Sequence, residues 1–420
     1  MPYLPVLALK SAWNRRHTLG LILVSVSLSA LMLLGVDRVR TSARESFAQT
    51  ISATDLIVGA RTGQVQLLLY SVFRLGDATN NVSWKSYQAI ASHPEVAWTI
   101  PIALGDSHRG FPLLGTTPAY FDHFRYGSRQ PLDFAGGRRF EGLFEAVIGS
   151  QVAKKLGYGV GDRIVINHGA AGTSQFDHSD KPFTVVGILA DTGTPVDRTV
   201  HVSLAAIEAI HLDWSGGAPM PGVSIPEQYV TRFDLTPKTI TAAFVGLKSR
   251  AAAFRMQRTV NEFKGEPLLA ALPGVALDQL WSVMSVAEQA LLFTAAMVVA
   301  ASLAGLVAVL LAGLGERRRE LAILRSVGAG PWQILLLILG ESLLVTLAAC
   351  AAGLLALDLL TWIGGPWIQS RYGLTLSKSP VSANELMLLS AILAAAAIAS
   401  TIPALKAYRQ TLADGLTPRL

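Results

Sequence analysis

The segment HGAAGTSQFDHSDK groups His168, Asp177, His178 and Asp180 in a stretch rich in glycine and serine. Imidazole and carboxylate gathered by such a loop can capture zinc or copper, and His201 and His211 lie downstream. The spacing fits no compact metal motif, so a solvated polar loop is the competing reading. His93, His108 and His123 are too widely spread to join the group.

A second segment, GYGVGD at 157–162, has the glycines that let backbone N–H groups approach phosphate. Here the glycines follow a predicted helix and precede a predicted strand, the reverse of the order that aims a helix N-terminus at an anion. A helix C-cap and turn is the reading they support. The chain contains no G-x-x-x-x-G-K-[ST], no H-E-x-x-H and no G-x-S-x-G. Glu141 and Glu145 stand beside Arg138 and Arg139, as on a salt-bridged surface. None of this carries the local signature of an enzyme.

The elements that must position these residues follow from composition. Hydrophobic residues make up 51% of the 420 and charged residues 15%, with a mean hydropathy of +0.42, which points to a membrane protein. Uncharged runs cover 18–36, 289–315 and 386–405, and a fourth, 331–357, is broken only by Glu341. Each is near or above the roughly 18 apolar residues a helix needs to cross hydrocarbon. The expected order is a cytoplasmic N-terminus (1–17), a first span (18–36), an outer α+β domain (37–285), a second span (286–314), a cytoplasmic segment (315–330), a third span (331–362), an outer loop (363–384), a fourth span (385–405) and a cytoplasmic tail (406–420). The first run is too long for a signal-peptide core, and no A-x-A-like site follows it, so it reads as an uncleaved anchor.

Cytoplasmic flanks should carry the Lys/Arg excess, and Lys10, Arg15 and Arg16, the triplet Arg317-Arg318-Arg319, and Lys406 with Arg409 all fall on one side. Arg38, Arg40, Arg44, Arg371 and Lys378 dilute that signal. The only cysteine, Cys350, is in the third span, which leaves the outer domain without disulfides. A pI near 9.5 reflects these flanks and does not call for nucleic acid.

In the outer domain, VDRVRTSARESFA at 36–48 reads as helix and DLIVGARTGQVQLLLYSVF as strands. NVSWKSYQAIASHPEVAWTIPIAL reads as helix, turn at His93-Pro94 and strand; 150–156 reads as helix; and strands follow it, one of them at Phe183. In the charged segment Leu321, Leu324 and Val327 fall near one face of a short amphipathic helix, with Arg318, Glu320 and Arg325 elsewhere. Gly328-Ala329-Gly330-Pro331 ends that helix and starts the next. About ten residues further, at 1.5 Å each, Glu341 lies deep in the third span, where a carboxylate must be protonated, paired or hydrogen-bonded. Asp358 is expected to be nearer the outer surface and wet.

GERRRELAILRSVGAGPWQILLLILGESLL resembles the segment that characterises the FtsX-like permeases of ABC transporters, the MacB family, which includes the lipoprotein-release permeases. The match runs through Glu316, Arg317, Glu320, Leu321, Ala322, Ile323, Arg325, Ser326, Val327, Gly328, Ala329, Gln333 and Glu341. AVIGSQVAKKLGYGVGDRIVI with FTVVGIL, and the terminal PALKAYRQTLADGL, are similar to further family segments.

The resemblance implies a non-catalytic subunit in the bacterial inner membrane, both termini cytoplasmic, driven by ATP and Mg on a separate ABC ATPase dimer. Residues 316–330 would be the coupling helix. Glu316, Arg317, Glu320 and Arg325 would supply polar contacts to the ATPase, Leu321, Ile323 and Leu324 apolar ones, and Gly328 the turn that closes the helix. Glu341 would be an intramembrane relay. A second permease copy and a periplasmic adaptor or substrate-binding protein are the further partners implied, and the motion would be mechanotransmission, for export or extraction of a periplasmic or outer-leaflet substrate. The rivals are a regulator whose motion activates a periplasmic hydrolase or sensor kinase, and metal-linked transport using zinc at the His/Asp loop.

Overall fold

The apolar runs form long helices. In the computed structural model, which describes residues 16–169, 177–215, 218–223, 225–372, 376 and 381–409, and only the backbone of 316, 318, 319 and 370–372, they are α1 (Arg16–Thr50), α2 (Pro273–Glu316), α4 (Pro331–Tyr372) and α5 (Ala383–Arg409), with the short α3 (Arg318–Ser326) between α2 and α4. Among the described residues these four long helices are apolar enough to cross a membrane. Lys10, Arg15, Lys378 and the tail beyond Arg409 lie outside the described residues. At about 1.5 Å per residue, α1 (35 residues) and α2 (44 residues) exceed a hydrocarbon layer of roughly 30 Å. The helix expected at 36–48 is the continuation of α1.

The chain divides into a helical unit (1–42, 285–367 and 376–420) and an αβ unit (43–284 and 368–375). In the helical unit α1, α2 and α5 contribute residues at three- and four-residue spacing, and α4 contributes an adjacent pair. Ile22, Val26, Ala30 and Leu33 of α1 meet Val299, Leu303, Leu306 and Leu310 of α2, Ala349 and Cys350 of α4, and Ile392 and Ala396 of α5. Small residues set the closest approach: a Cβ on Gly353 would stand 2.7 Å from the Ser27 carbonyl oxygen of α1. Ser382 and Glu385 start α5 reciprocally, the hydroxyl accepting from Glu385 N (3.1 Å) and the carboxylate from Ser382 N (2.9 Å), which satisfies donors the helix leaves open.

Among the described residues, two two-stranded ladders accompany the two larger sheets on which the αβ unit is built. The strands of the larger sheets are β1 (Leu56–Ala60), β2 (Val96–Ile102), β3 (Ser107–His108), β4 (Phe111–Thr116), β5 (Phe134–Gly137), β6 (Glu145–Ile148), β7 (Arg163–Ile164), β8 (Phe183–Leu189), β9 (Val200–Ser203), β10 (Ala242–Leu247) and β11 (Leu268–Ala271). The first sheet has the antiparallel order β11-β1-β10-β2. The second has the order β3-β4-β9-β6-β8-β5, with β7 on β8 and parallel pairing at β4/β9 and β6/β8.

Alternation assigns the faces. Ile57 and Phe244 enter a core shared with Val147 and Leu189 of the second sheet, while their neighbours Leu56, Val58, Ala243 and Val245 enter a separate one with Met256 and Val260. Ala146, Ile148, Phe183, Val185, Val200 and Val202 line a third core under Val152 and Ile210.

The helices at Trp84–Ala91 and Ser150–Leu156 and the strand at Phe183–Leu189 stand where the pattern puts them. Gly157 has φ +71 at the C-cap of the second helix and its N–H bonds Ala153 O at 2.9 Å, so the glycine-rich segment is a helix stop. One reading changes: QVQLLLYSV, expected as strand, is the helix Gln64–Val72. A short apolar run buried on most sides has no distinctive period, and here Leu67, Leu68, Tyr70, Ser71 and Val72 are all buried.

Candidate functional site

Between α2 and α4 the chain solves the problem of an acid inside an apolar helix. Arg317, the residue between α2 and α3, points inward: its Nη1 donates to Glu341 Oε2 at 2.6 Å and its Nη2 to Oε1 at 3.2 Å, with the two side chains 8% and 9% exposed. A bidentate guanidinium–carboxylate pair keeps both charges where either alone would be costly. Around it Leu314, Leu321, Ile334, Leu335, Ile338, Ala404 and Ala407 close a small core.

Farther along the same unit, Arg38 of α1 joins three helices. It donates through Nε to Glu385 of α5 at 2.7 Å and through Nη1 to Asp358 of α4 at 2.6 Å. Nearby, Arg40 bonds Glu288 of α2 at 2.9 Å and Asn384 bonds Asp37 at 2.8 Å. By sequence, Arg38 and Arg40 are stray positive charges and Asp358 is wet. Asp358 is indeed half exposed, but the arginines are tied to acids of other helices. The visible signal is acids and bases at the ends of different spans.

In the αβ unit the His/Asp loop divides. His168 and His178 converge with His211, just past the helix Leu204–Ile210, and with Asp106, just before β3; one potential ligand atom from each lies within 4.8 Å of the others. His168 Nδ1 is 3.1 Å from Asp106 Oδ1 and 3.1 Å from His211 Nε2. Asp177 and Asp180 are not in this group. Asp177 is exposed and pairs through its backbone with Asn167, and the Asp180 carboxylate is bound to the Lys181 ammonium. Asp106 escapes sequence reasoning, since strands β3 to β7 all lie between it and the loop. Burial pushes the His178 imidazole down to about 4. Burial alone would raise the Asp106 carboxyl, but its hydrogen bond to His168 and the neighbouring imidazoles hold it below the usual range. Arg138 and Glu145 form the expected surface pair, with Nη2–Oε1 at 2.6 Å.

The MacB-like periplasmic core domain family matches residues 17–252, and the FtsX-like permease C-terminal family matches residues 292–412. The chain belongs to the MacB/FtsX-like permease family. Similar solved structures include the periplasmic region of MacB from Actinobacillus actinomycetemcomitans, at 11% identity and a TM-score of 0.33, covering 55% of this chain and 94% of that one. Another is the extracellular domain of the noncanonic ABC-type transporter YknZ from Gram-positive bacteria, at 14% identity and a TM-score of 0.29, covering 52% and 98%. No curated protein matches the chain.

As a MacB/FtsX-like permease, the chain is a multi-pass membrane component of an ABC system. Its family segment sorts into two sides. Leu321 and Ala322 are buried and Leu324 is half-buried, whereas Glu320, Ile323 and Val327 are exposed. Of the three apolar residues expected to meet an ATPase, only Ile323 is turned fully outward; Leu321 packs into its own chain. Arg317, expected on the same outer face, is committed to Glu341, where pairing offsets the burial of both charges. Val327 leaves the Leu321 face because α3 stops at Ser326 and Gly328, at φ +98, turns the chain. Arg325 is half-buried, and the Glu316 side chain lies outside the described residues.

Proposed function

We propose that this chain is the permease subunit of a MacB-type ABC transporter of the bacterial inner membrane, with both termini and α3 cytoplasmic and the αβ unit periplasmic. It pairs with a second permease copy and with a separate ATPase dimer that holds ATP and Mg, and it relays nucleotide-driven closure to the periplasmic domains without forming a substrate pore. The work is export or extraction of a periplasmic or outer-leaflet substrate, with a periplasmic adaptor or binding protein as the further partner.

The observation that carries this reading is the two-sided α3. Glu320 and Ile323 are exposed for a partner, while Leu321 is packed and the preceding Arg317 is ion-paired to α4. A force applied to the exposed side is delivered to the third span through a buried charge pair and a packed core. Membership of the family supports the same reading.

The test is Ile323→Asp, which puts a charge on the exposed side without touching the packed one. Co-purification with the cognate ATPase is expected to fall at least tenfold while the variant's melting temperature in detergent stays at the wild-type value. Unchanged co-purification and unchanged stimulation of ATP hydrolysis would overturn the assignment of α3.

A further inference from the structure

We propose that Asp106, His168, His178 and His211 bind one divalent transition-metal ion of the zinc class, in a closed site that ties together three separate segments of the αβ unit. The site is independent of the α3 reading above. It shares His168 and His178 with the set legible in sequence and replaces Asp177 and Asp180 by Asp106 and His211.

A tetrahedral zinc ion with nitrogen and oxygen ligands at about 2.0–2.2 Å sets those ligand atoms roughly 3.4 Å apart. Two of the separations here are already 3.1 Å, and one ligand atom from each of the four residues lies within 4.8 Å of the rest.

His178 stands apart from the other three. Its side chain is fully buried, and neither ring nitrogen has a hydrogen-bond partner among the described residues. Buried polar groups in folded proteins are nearly always satisfied, and an orphan calls for an explanation. A hydrogen-bonded network without metal accounts for Asp106, His168 and His211, whose polar atoms already meet, but does not reach His178. A cation at the centre accounts for all four.

The surrounding residues orient the imidazoles. His211 Nδ1 stands 2.8 Å from the Ile207 carbonyl oxygen. A carbonyl can only accept, so the proton belongs on Nδ1 and the Nε2 lone pair faces the cluster, the arrangement that orients metal-bound imidazoles. The Trp214 ring packs against all three imidazoles, with centroids 4.9 Å from His168, 4.3 Å from His178 and 5.7 Å from His211. The buried Lys181 ammonium, 3.0 Å from both Asp213 oxygens, pins the His178 segment to the His211 segment.

Ligand chemistry selects the ion. Three imidazoles and one carboxylate suit zinc and its borderline neighbours, and the absence of thiolate disfavours Cu(I), since the only cysteine is Cys350 of α4. Four protein ligands leave no open position, which makes the site structural and not hydrolytic. Its edge is open enough for the ion to enter, with His168 and His211 about a quarter to a third exposed.

The test uses the full chain, purified in detergent without a histidine tag and stripped with chelator. Titration with Zn2+ against a competing chelator dye is expected to give one ion per chain and to raise the melting temperature. Co2+ is expected to give the visible absorption of a tetrahedral centre. His178→Gln and Asp106→Asn, both close in shape, should weaken Zn2+ binding at least tenfold and abolish that absorption, whereas Asp180→Asn should bind as wild type. If either ligand variant fails to fold, as judged by circular dichroism before metal is added, His211→Gln takes its place. No saturable Zn2+ binding by the wild-type chain, or wild-type affinity in the folded ligand variants, would overturn the proposal.

Discussion

Arg317 and Glu341, 24 residues apart in sequence, meet as a two-point ion pair with a shortest separation of 2.6 Å. One residue precedes the short helix at the membrane edge, and the other belongs to the third span. Neither charge has water enough to stand alone, so each fixes where the other can be.

Glu341→Leu leaves a buried guanidinium without its main partner and is expected to lower the melting temperature in detergent, by an amount corresponding to about 3–5 kcal/mol if the site behaves as a buried pair in a soluble protein. Glu341→Gln keeps an acceptor and is expected to lose less. The double change Arg317→Leu with Glu341→Leu removes both charges and should recover most of the stability. If the pair is a relay, ATPase stimulation in reconstituted complexes stays low in the double variant. Full stimulation there would reduce the pair to a packing feature.

Arg38 touches one buried acid and one half-exposed acid, and exposure decides which matters. Glu385→Ala strips a side chain that is 5% exposed and also breaks the Ser382 cap; the expected cost is about 3–5 kcal/mol. Asp358 is 52% exposed, and Asp358→Ala should cost under about 1 kcal/mol. Thermal unfolding of both variants, side by side, checks the ranking. Equal losses would show that burial does not govern this cluster.

Gly353→Ala drives a methyl group to 2.7 Å from the Ser27 carbonyl and 3.1 Å from Ala30 Cβ. Both contacts are to the packed face of α1, so the helices must separate, at an expected cost of about 1–3 kcal/mol. Gly340, on the same helix, has nothing within 4 Å of the point where an added methyl would stand, and Gly340→Ala should be neutral or stabilising by up to about 1 kcal/mol. Melting temperatures of the two variants should move in opposite directions or differ clearly in size.

Acid should destabilise the αβ unit through His201. Burial, with the Arg74 charge second, pushes this imidazole down to about 3. The unfolded chain takes up a proton there below about 6.5 and the folded chain only below about 3. The stabilising contribution is therefore complete above pH 6.5 and is lost as pH falls through that window, by at most about 1.4 kcal/mol per pH unit. His178, at about 4, acts in the same direction. Asp197, raised to about 7 by burial, acts in the opposite one. The informative measurement is thus the difference between wild type and His201→Phe in melting temperature from pH 7 to pH 4. Wild type should lose ground to the variant as pH falls; parallel curves would show that the ring is not buried neutral.

The sequence alone determined what depends on local pattern. Uncharged runs long enough to span hydrocarbon gave four helices, since backbone polar groups in lipid must be satisfied within the helix itself. The alternation in FTVVGIL and the helix signal at 150–156 likewise rest on side chains a few residues apart. The family segment around Glu320 and Gly328 was legible for the same reason. Even the need for a partner at Glu341 followed from its depth.

Tertiary structure decided which partner answered that need, and which residues would share a site. Arg317 turned inward onto Glu341, a choice made by the packing of α2 against α4 and invisible in the linear order. QVQLLLYSV, read as strand from its alternation, is a helix: a short apolar run buried on most of its surface fits either element by pattern, and packing makes the choice. Asp106 joined His168 and His178 because strand pairing brings the start of β3 beside the loop that follows β7, and His211 reaches them from the end of the helix Leu204–Ile210. Asp177 and Asp180, although closer in sequence, project from that loop toward solvent and toward Lys181. Sequence proximity fixes only what a few bonds can reach. The neighbours that neutralise a buried charge or complete a ring of imidazoles are chosen by the folding of the whole chain.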